Sequence, residues 1–159
     1  MPKFETSRRV PFTARQMFDV VADVERYPEF LPLCEGLVVH SREGQGADTV
    51  LHATMTVGYG AIRESFKSRV VLRPERNQIL VTYLDGPFSR LDNRWTFRDA
   101  SGGAFVDFFI DYAFSSRTLA LLMGTVFDMA VRKYTSAFEA RAHALYDAKG
   151  AAASAPAKS

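Results

Sequence analysis

A chain of 159 residues, 47% hydrophobic and 24% charged, suits one domain around one core and excludes a disordered or membrane-spanning chain. Its net charge of +2, from 20 basic and 18 acidic residues, is too balanced to point to nucleic acid. The single cysteine, Cys34, excludes an internal disulfide and fits a reducing compartment, while 13 phenylalanines imply a large dry interior, either a filled core or a lined cavity.

The start of the chain, Met1-Pro2-Lys3-Phe4-Glu5, has no apolar run of the secretory type, so a cytoplasmic location is expected. Residues 4–10 read as a strand ended by Pro11. Thr13 sits where an N-cap belongs, with Gln16 three places later as in a capping box. Met17, Phe18, Val21 and Ala22 then recur at helical spacing, which predicts a short helix over 14–24. Pro28 and Pro32 interrupt the next stretch and leave at most a helical turn over 29–33, after which 36–42 resumes as a strand.

From Thr49 the apolar period is two. Leu51, Ala53, Met55 and Val57 alternate with polar residues, and Gly58-Tyr59-Gly60 reads as a hairpin turn. Ile62, Glu64, Phe66, Ser68, Val70 and Leu72 share one face of the next strand, with Arg63, Lys67 and Arg69 on the other. Ile79, Val81 and Tyr83 form a further strand, Leu91, Asn93, Trp95 and Phe97 another, and Val106 to Phe114 the last, with Asp107 and Asp111 facing away from its apolar side. After Ser115-Ser116 the period becomes helical. Leu119, Leu122, Met123, Val126, Phe127, Ala130, Tyr134, Ala137, Phe138, Arg141 and Leu145 mark one stripe. The stripe predicts one helix of about thirty residues, around 45 Å long. Its first half is apolar nearly all round, since Leu121, Met129 and Val131 lie off the stripe.

The expected class is therefore α+β: a curved antiparallel sheet wrapped around a long C-terminal helix, with side-chain-lined space between them. Residues 3–147 form one ligand-binding domain in this reading, and residues 148–159, which carry no large apolar side chain, form a disordered tail. Chemistry is sparse. His40, His52 and His143 have no metal-site spacing, and Cys34 has no histidine near it in sequence. No catalytic residue, no metal and no cofactor is expected. Glu64, on the same strand face as Phe66, reaches solvent or a basic partner at the hairpin end, or faces a cavity mouth.

Three motifs carry a resemblance: Tyr27-Pro28-Glu29-Phe30-Leu31-Pro32-Leu33-Cys34, then Gly86-Pro87-Phe88 followed by Leu91, Trp95 and Phe97, then Phe108-Phe109-Ile110-Asp111-Tyr112 with Phe114. On these the chain resembles the helix-grip superfamily of START-type lipid-binding domains. Within that superfamily it is similar to the coenzyme-Q-binding START-domain family, whose bacterial relatives include the ribosome association toxin. The resemblance implies a cavity for ubiquinone or a similar polyprenyl lipid, a carrier or chaperone role supporting respiration, and no established catalytic residues. Met55, Phe66, Phe108 and Val126 suit the hydrocarbon tail; Leu122 and Ala130 extend the helical side of the site. Tyr83, Trp95 and Tyr112 are the inward residues able to donate to a quinone head. Phe30 and Leu31, beside the uncharged stretch 118–127, form an expected lipid-touching mouth that collects the ligand at the inner membrane face.

Two other readings accompany this one. A ribosome-subunit-binding translation inhibitor would use Arg63, Lys67, Arg69, Arg94 and Arg98 on the outer sheet face. A polyketide cyclase or dehydrase would need a base with a partner, which the sequence does not offer.

Overall fold

The computed structural model describes residues 3–147; the expected tail, 148–159, lies outside the described residues. Strands β1 (Lys3–Val10), β2 (Cys34–Gln45), β3 (Asp48–Tyr59), β4 (Ile62–Arg73), β5 (Gln78–Asp85), β6 (Phe88–Ala100) and β7 (Gly103–Phe114) form one antiparallel sheet in the order β1-β7-β6-β5-β4-β3-β2. Helix α1 (Ala14–Ala22) follows β1, and helices α2 (Arg117–Arg132) and α3 (Tyr134–Ala142) follow β7. This is the helix-grip arrangement.

Strand alternation builds the inner face. Met55 lies opposite Phe66, Ala53 opposite Ser68, Val70 opposite Val81, and Val81 opposite Asn93, so side chains from four strands point to one side. The β3–β4 hairpin turns at Gly60-Ala61, with Tyr59 paired to Ile62 and Gly60 at φ +61°, a positive angle that glycine supplies without a steric cost. Gly86, at φ +145°, lets the β5–β6 turn come close to β4: a Cβ there would stand 2.6 Å from the Cβ of Phe66.

The capping box forms as the sequence predicts. Gln16 N donates to the Thr13 hydroxyl at 3.0 Å, and Thr13 N donates to Gln16 Oε1 at 2.9 Å. The next turn is displaced from 29–33 to a 3-10 segment over Val24–Glu29 that runs through Pro28. Proline is tolerated because the bonds that close the segment come from Phe30 N and Leu31 N, both to the Tyr27 carbonyl. Strand β2 is longer than expected and carries irregularities between Cys34 and Gly36 and between Val39 and Ser41.

The single long helix is corrected by the structure. It is interrupted at Lys133, whose backbone is tightened to φ −100°, ψ −1° and whose N–H bonds back to Ala130 O. The break lets α2 lie along β7 while α3 turns onto α1. The buried stripe is narrower than the expected one: Met123, Phe127, Ala130, Val131, Tyr134, Phe138 and Ala142 face inward, whereas Leu122 is 56% exposed and Val126 half-buried. Val131, expected off the stripe, is fully buried.

Candidate functional site

Between the inner face of the sheet and the helices lies a cavity of about 90 Å³. The sheet contributes Met55, Phe66, Ser68, Val81, Asn93 and Trp95 among others, all at the inward positions of their strands. Phe127 of α2, Tyr134 and Phe138 of α3, and Tyr27 and Leu31 from the 3-10 segment and its exit close the other side. Phe138 is held edge-on by Trp95 at 5.1 Å, Tyr27 at 5.2 Å and Phe30 at 5.3 Å between ring centroids.

Among the described residues no lysine, arginine, histidine or carboxylate lines this space. Its polar groups are few and neutral. The Tyr27 hydroxyl donates to Val21 O at 2.5 Å. Asn93 accepts from Trp95 Nε1 at 3.2 Å and donates to Phe109 O at 2.9 Å. Ser68 is 6% exposed, and its hydroxyl has no hydrogen-bond partner among the described residues. Burial pushes the Tyr27 and Tyr134 phenols well above the ordinary tyrosine range, and pushes the Cys34 thiol up to about 11. These groups stay protonated at neutral pH, so they donate hydrogen bonds and do not serve as bases or thiolate nucleophiles.

The residues expected at the site fall in three places. Leu31, Met55, Phe66 and Trp95 line the cavity. Phe108, Tyr112 and Ala130 are buried beside it: Phe108 backs Trp95 at 4.5 Å, and Tyr112 packs on Phe127 at 4.8 Å, its own hydroxyl without a partner among the described residues. Phe30, Glu64, Tyr83, Leu122 and Val126 stand outside the lining. Phe30 is half-buried beneath the Arg141 guanidinium. Tyr83 uses its hydroxyl to accept from Phe88 N at 3.0 Å. Glu64 is half-buried opposite Val57, toward the β3–β4 hairpin and beyond the cavity end. Leu122 turns outward because α2 presents Met123 and Phe127 to the sheet instead.

Of the donors expected for a quinone head, Trp95 spends its one N–H on Asn93, while Tyr83 and Tyr112 do not reach the lining. Tyr27, Ser68, Asn93 and Tyr134 are polar lining residues that the expected site did not include. A signal existed for two of them, since a serine and an asparagine at inward strand positions are polar groups where apolar ones belong.

On the outer face, three of the five basic residues are neutralised. Arg63 pairs with Glu35 at 2.5 Å, Arg94 with Asp92 at 2.7 Å, and Arg98 with Asp107 at 2.6 Å. Lys67 and Arg69 on β4 are outside the ion pairs of the described residues, with His52 directly across from Arg69. Among the described residues no cluster of His, Cys, Asp and Glu is placed to hold a metal ion, and no helix is long and apolar enough to cross a membrane.

Comparison with known proteins gives a consistent lineage. Residues 10–139 match the family described as polyketide cyclase / dehydrase and lipid transport. The ribosome association toxin RatA of Escherichia coli K12 is 33% identical over 151 residues, covering 94% of this chain and 92% of that one. The coenzyme Q-binding protein COQ10 homolog B, mitochondrial, of Xenopus laevis is 29% identical over 150 residues, covering 91% of this chain and 59% of that one. Among solved structures, the 18 kDa protein CC1736 of Caulobacter crescentus superposes with a TM-score of 0.76 at 34% identity, covering 92% of this chain and 99% of that one.

Proposed function

The chain belongs to the polyketide cyclase / dehydrase and lipid transport family, and we propose that it binds ubiquinone or a similar polyprenyl lipid as a carrier, without transforming it. The observation that carries this reading is the cavity itself: it lies between sheet and helices, its lining is largely apolar, and no charged side chain among the described residues reaches it. Hydrocarbon is worth roughly 0.8 kcal/mol per buried CH₂, so such a lining favours a prenyl tail. The similarity to a coenzyme Q-binding protein supports the same ligand class. A cyclase needs a base at its substrate; among the described residues the lining has no carboxylate and no histidine, and its phenols stay protonated, which favours binding over catalysis.

At about 90 Å³ the cavity is smaller than ligand pockets, which span roughly 300–1,000 Å³, so taking up a lipid requires it to widen. Opening falls to α2, which meets the sheet through Met123, Phe127, Ala130 and Val131 and turns Leu121, Leu122 and Met129 outward. Leu121 is 86% exposed. This outward stripe, flanked by Arg117, Arg132 and Lys133, is the surface through which the carrier meets a membrane and takes up its lipid.

Trp95 is the one tryptophan of the chain and lines the cavity, so its fluorescence reports occupancy. Titration with a ubiquinone of two isoprene units should quench it saturably. Quenching that stays linear in quinone concentration, with no displacement by unlabelled lipid, contradicts the reading.

A second reading, association with ribosomal subunits, is favoured by the name of the relative matched over 94% of this chain. Its contact surface would be the outer face around Lys67 and Arg69. Cosedimentation with subunits should then weaken steeply between low and physiological salt. Sedimentation that is absent, or indifferent to salt, counts against it.

A further inference from the structure

The cavity is apolar, but not uniformly so. On β4, Ser68 occupies an inward position between Phe66 and Val70. Its hydroxyl is buried with no partner among the described residues, in a lining that would accept alanine. Buried hydroxyls are ordinarily hydrogen-bonded, and one that is not marks a place where the partner comes from elsewhere.

Two strands away, across Val81 of β5, Asn93 lines the same space. The orientation of its amide is fixed by its two partners, because an indole N–H only donates and a carbonyl only accepts. That leaves one amide N–H and one lone pair of Oδ1 unspent. Asn93 is therefore held rigidly with hydrogen-bonding capacity to spare. The Tyr134 hydroxyl, protonated at neutral pH, lines the cavity from the helical side.

We infer that Ser68, with Asn93 beyond β5, is the polar end of the cavity and selects lipids with a neutral, oxygen-bearing headgroup. The inference rests on the carrier reading and narrows it. An all-hydrocarbon ligand would leave the Ser68 hydroxyl unsatisfied. A fatty acid or phospholipid would bring a charge into a lining that offers no counter-charge, which is costly. A quinone or quinol ring, or a prenyl alcohol, satisfies the serine and brings no charge.

The test compares wild-type protein with Ser68→Ala, using three probes: ubiquinone with two isoprene units read directly by Trp95 quenching, and decylbenzene and palmitate read by displacement of that quinone. The wild type should bind the quinone at least tenfold more tightly than palmitate. Ser68→Ala should weaken the quinone about tenfold, the scale of one hydrogen bond, and leave decylbenzene within twofold. The ligand-free variant should melt at the same temperature as the wild type or higher, since an unpaired buried hydroxyl is removed. A variant that weakens both ligands equally, or neither, overturns the role of Ser68. Palmitate bound as tightly as quinone overturns the neutral-head rule. If the wild type binds none of the probes, the carrier reading itself falls, a different outcome from the other two.

Discussion

Phe127→Ala separates the contribution of the cavity wall to folding from its contribution to binding. Phe127 is 2% exposed and is the largest of the four buried side chains through which α2 meets the sheet. It packs on Tyr112 at 4.8 Å, Phe88 at 5.5 Å and Phe114 at 5.8 Å. Truncating a buried phenylalanine costs about 3–5 kcal/mol. The rigid aromatic neighbours hinder collapse of the space, which places the cost toward the upper part of that range. At roughly 2–4 °C per kcal/mol for a domain of this size, the melting temperature should fall by about 6–20 °C. The space vacated is that of a phenyl ring, and it joins a cavity of about 90 Å³. An apolar cavity of about 150 Å³ already accepts benzene. The variant should therefore keep or improve its affinity for a short-tail ubiquinone, and a hundredfold excess over Kd should return about 2.7 kcal/mol. Thermal melts with and without the quinone read both effects. A variant that melts like the wild type refutes the packing argument. A folded variant that quinone no longer stabilises refutes the placement of the ligand.

Leu121→Glu adds a charge at an outward position of α2, so liposome flotation and quinone uptake should weaken while stability changes by no more than about 0.5 kcal/mol. A collapse in stability would make Leu121 part of the core; unchanged flotation would remove the membrane-loading surface. Gly86→Ala should destabilise by about 1–3 kcal/mol, because the residue sits at φ +145° and its Cβ would meet Phe66 Cβ at 2.6 Å; an unchanged denaturation midpoint would contradict this. The His143 imidazole bonds Asp147 at 2.6 Å and Glu139 at 3.4 Å, and these carboxylates raise its pKa above the usual histidine value. A pKa raised by folding contributes stability that is fully present below the unfolded value near 6.5 and is lost as pH rises through the folded one. Melting temperature should therefore decline across that window in the wild type and not in His143→Gln; identical profiles would refute the assignment.

Much of the fold was legible because the chain states its periods cleanly. Alternation from Leu51 onward fixed which residues face inward, and the change of period after Ser116 marked the start of α2. Thr13 and Gln16 announced the first helix through chemistry local to four residues. The orientation of α2 was not legible, for a physical reason: a helix apolar on nearly all sides has no contrast from which to choose the arc that meets the sheet. Packing against the sheet makes the choice, with Leu122 outward and Val131 inward. The cavity depends on how side chains from nine elements fill a volume, which no single stretch of sequence records. Trp95 looked like a donor for a ligand because its partner, Asn93, lies two residues away on the same strand face, a pairing that alternation made visible but not obligatory. The outer basic face was overstated for a similar reason, since Glu35, Asp92 and Asp107 neutralise three of its five cations.

The most direct test of the account is chemical analysis of what the protein carries. The chain is purified from its natural host without detergent and extracted with organic solvent, and the extract is analysed by mass spectrometry. The account predicts a neutral lipid with an oxygenated head and a prenyl tail, ubiquinone foremost, in stoichiometric ratio to protein and depleted in Ser68→Ala. An extract that repeatedly holds no lipid, from protein that also fails to take up added quinone, would contradict it.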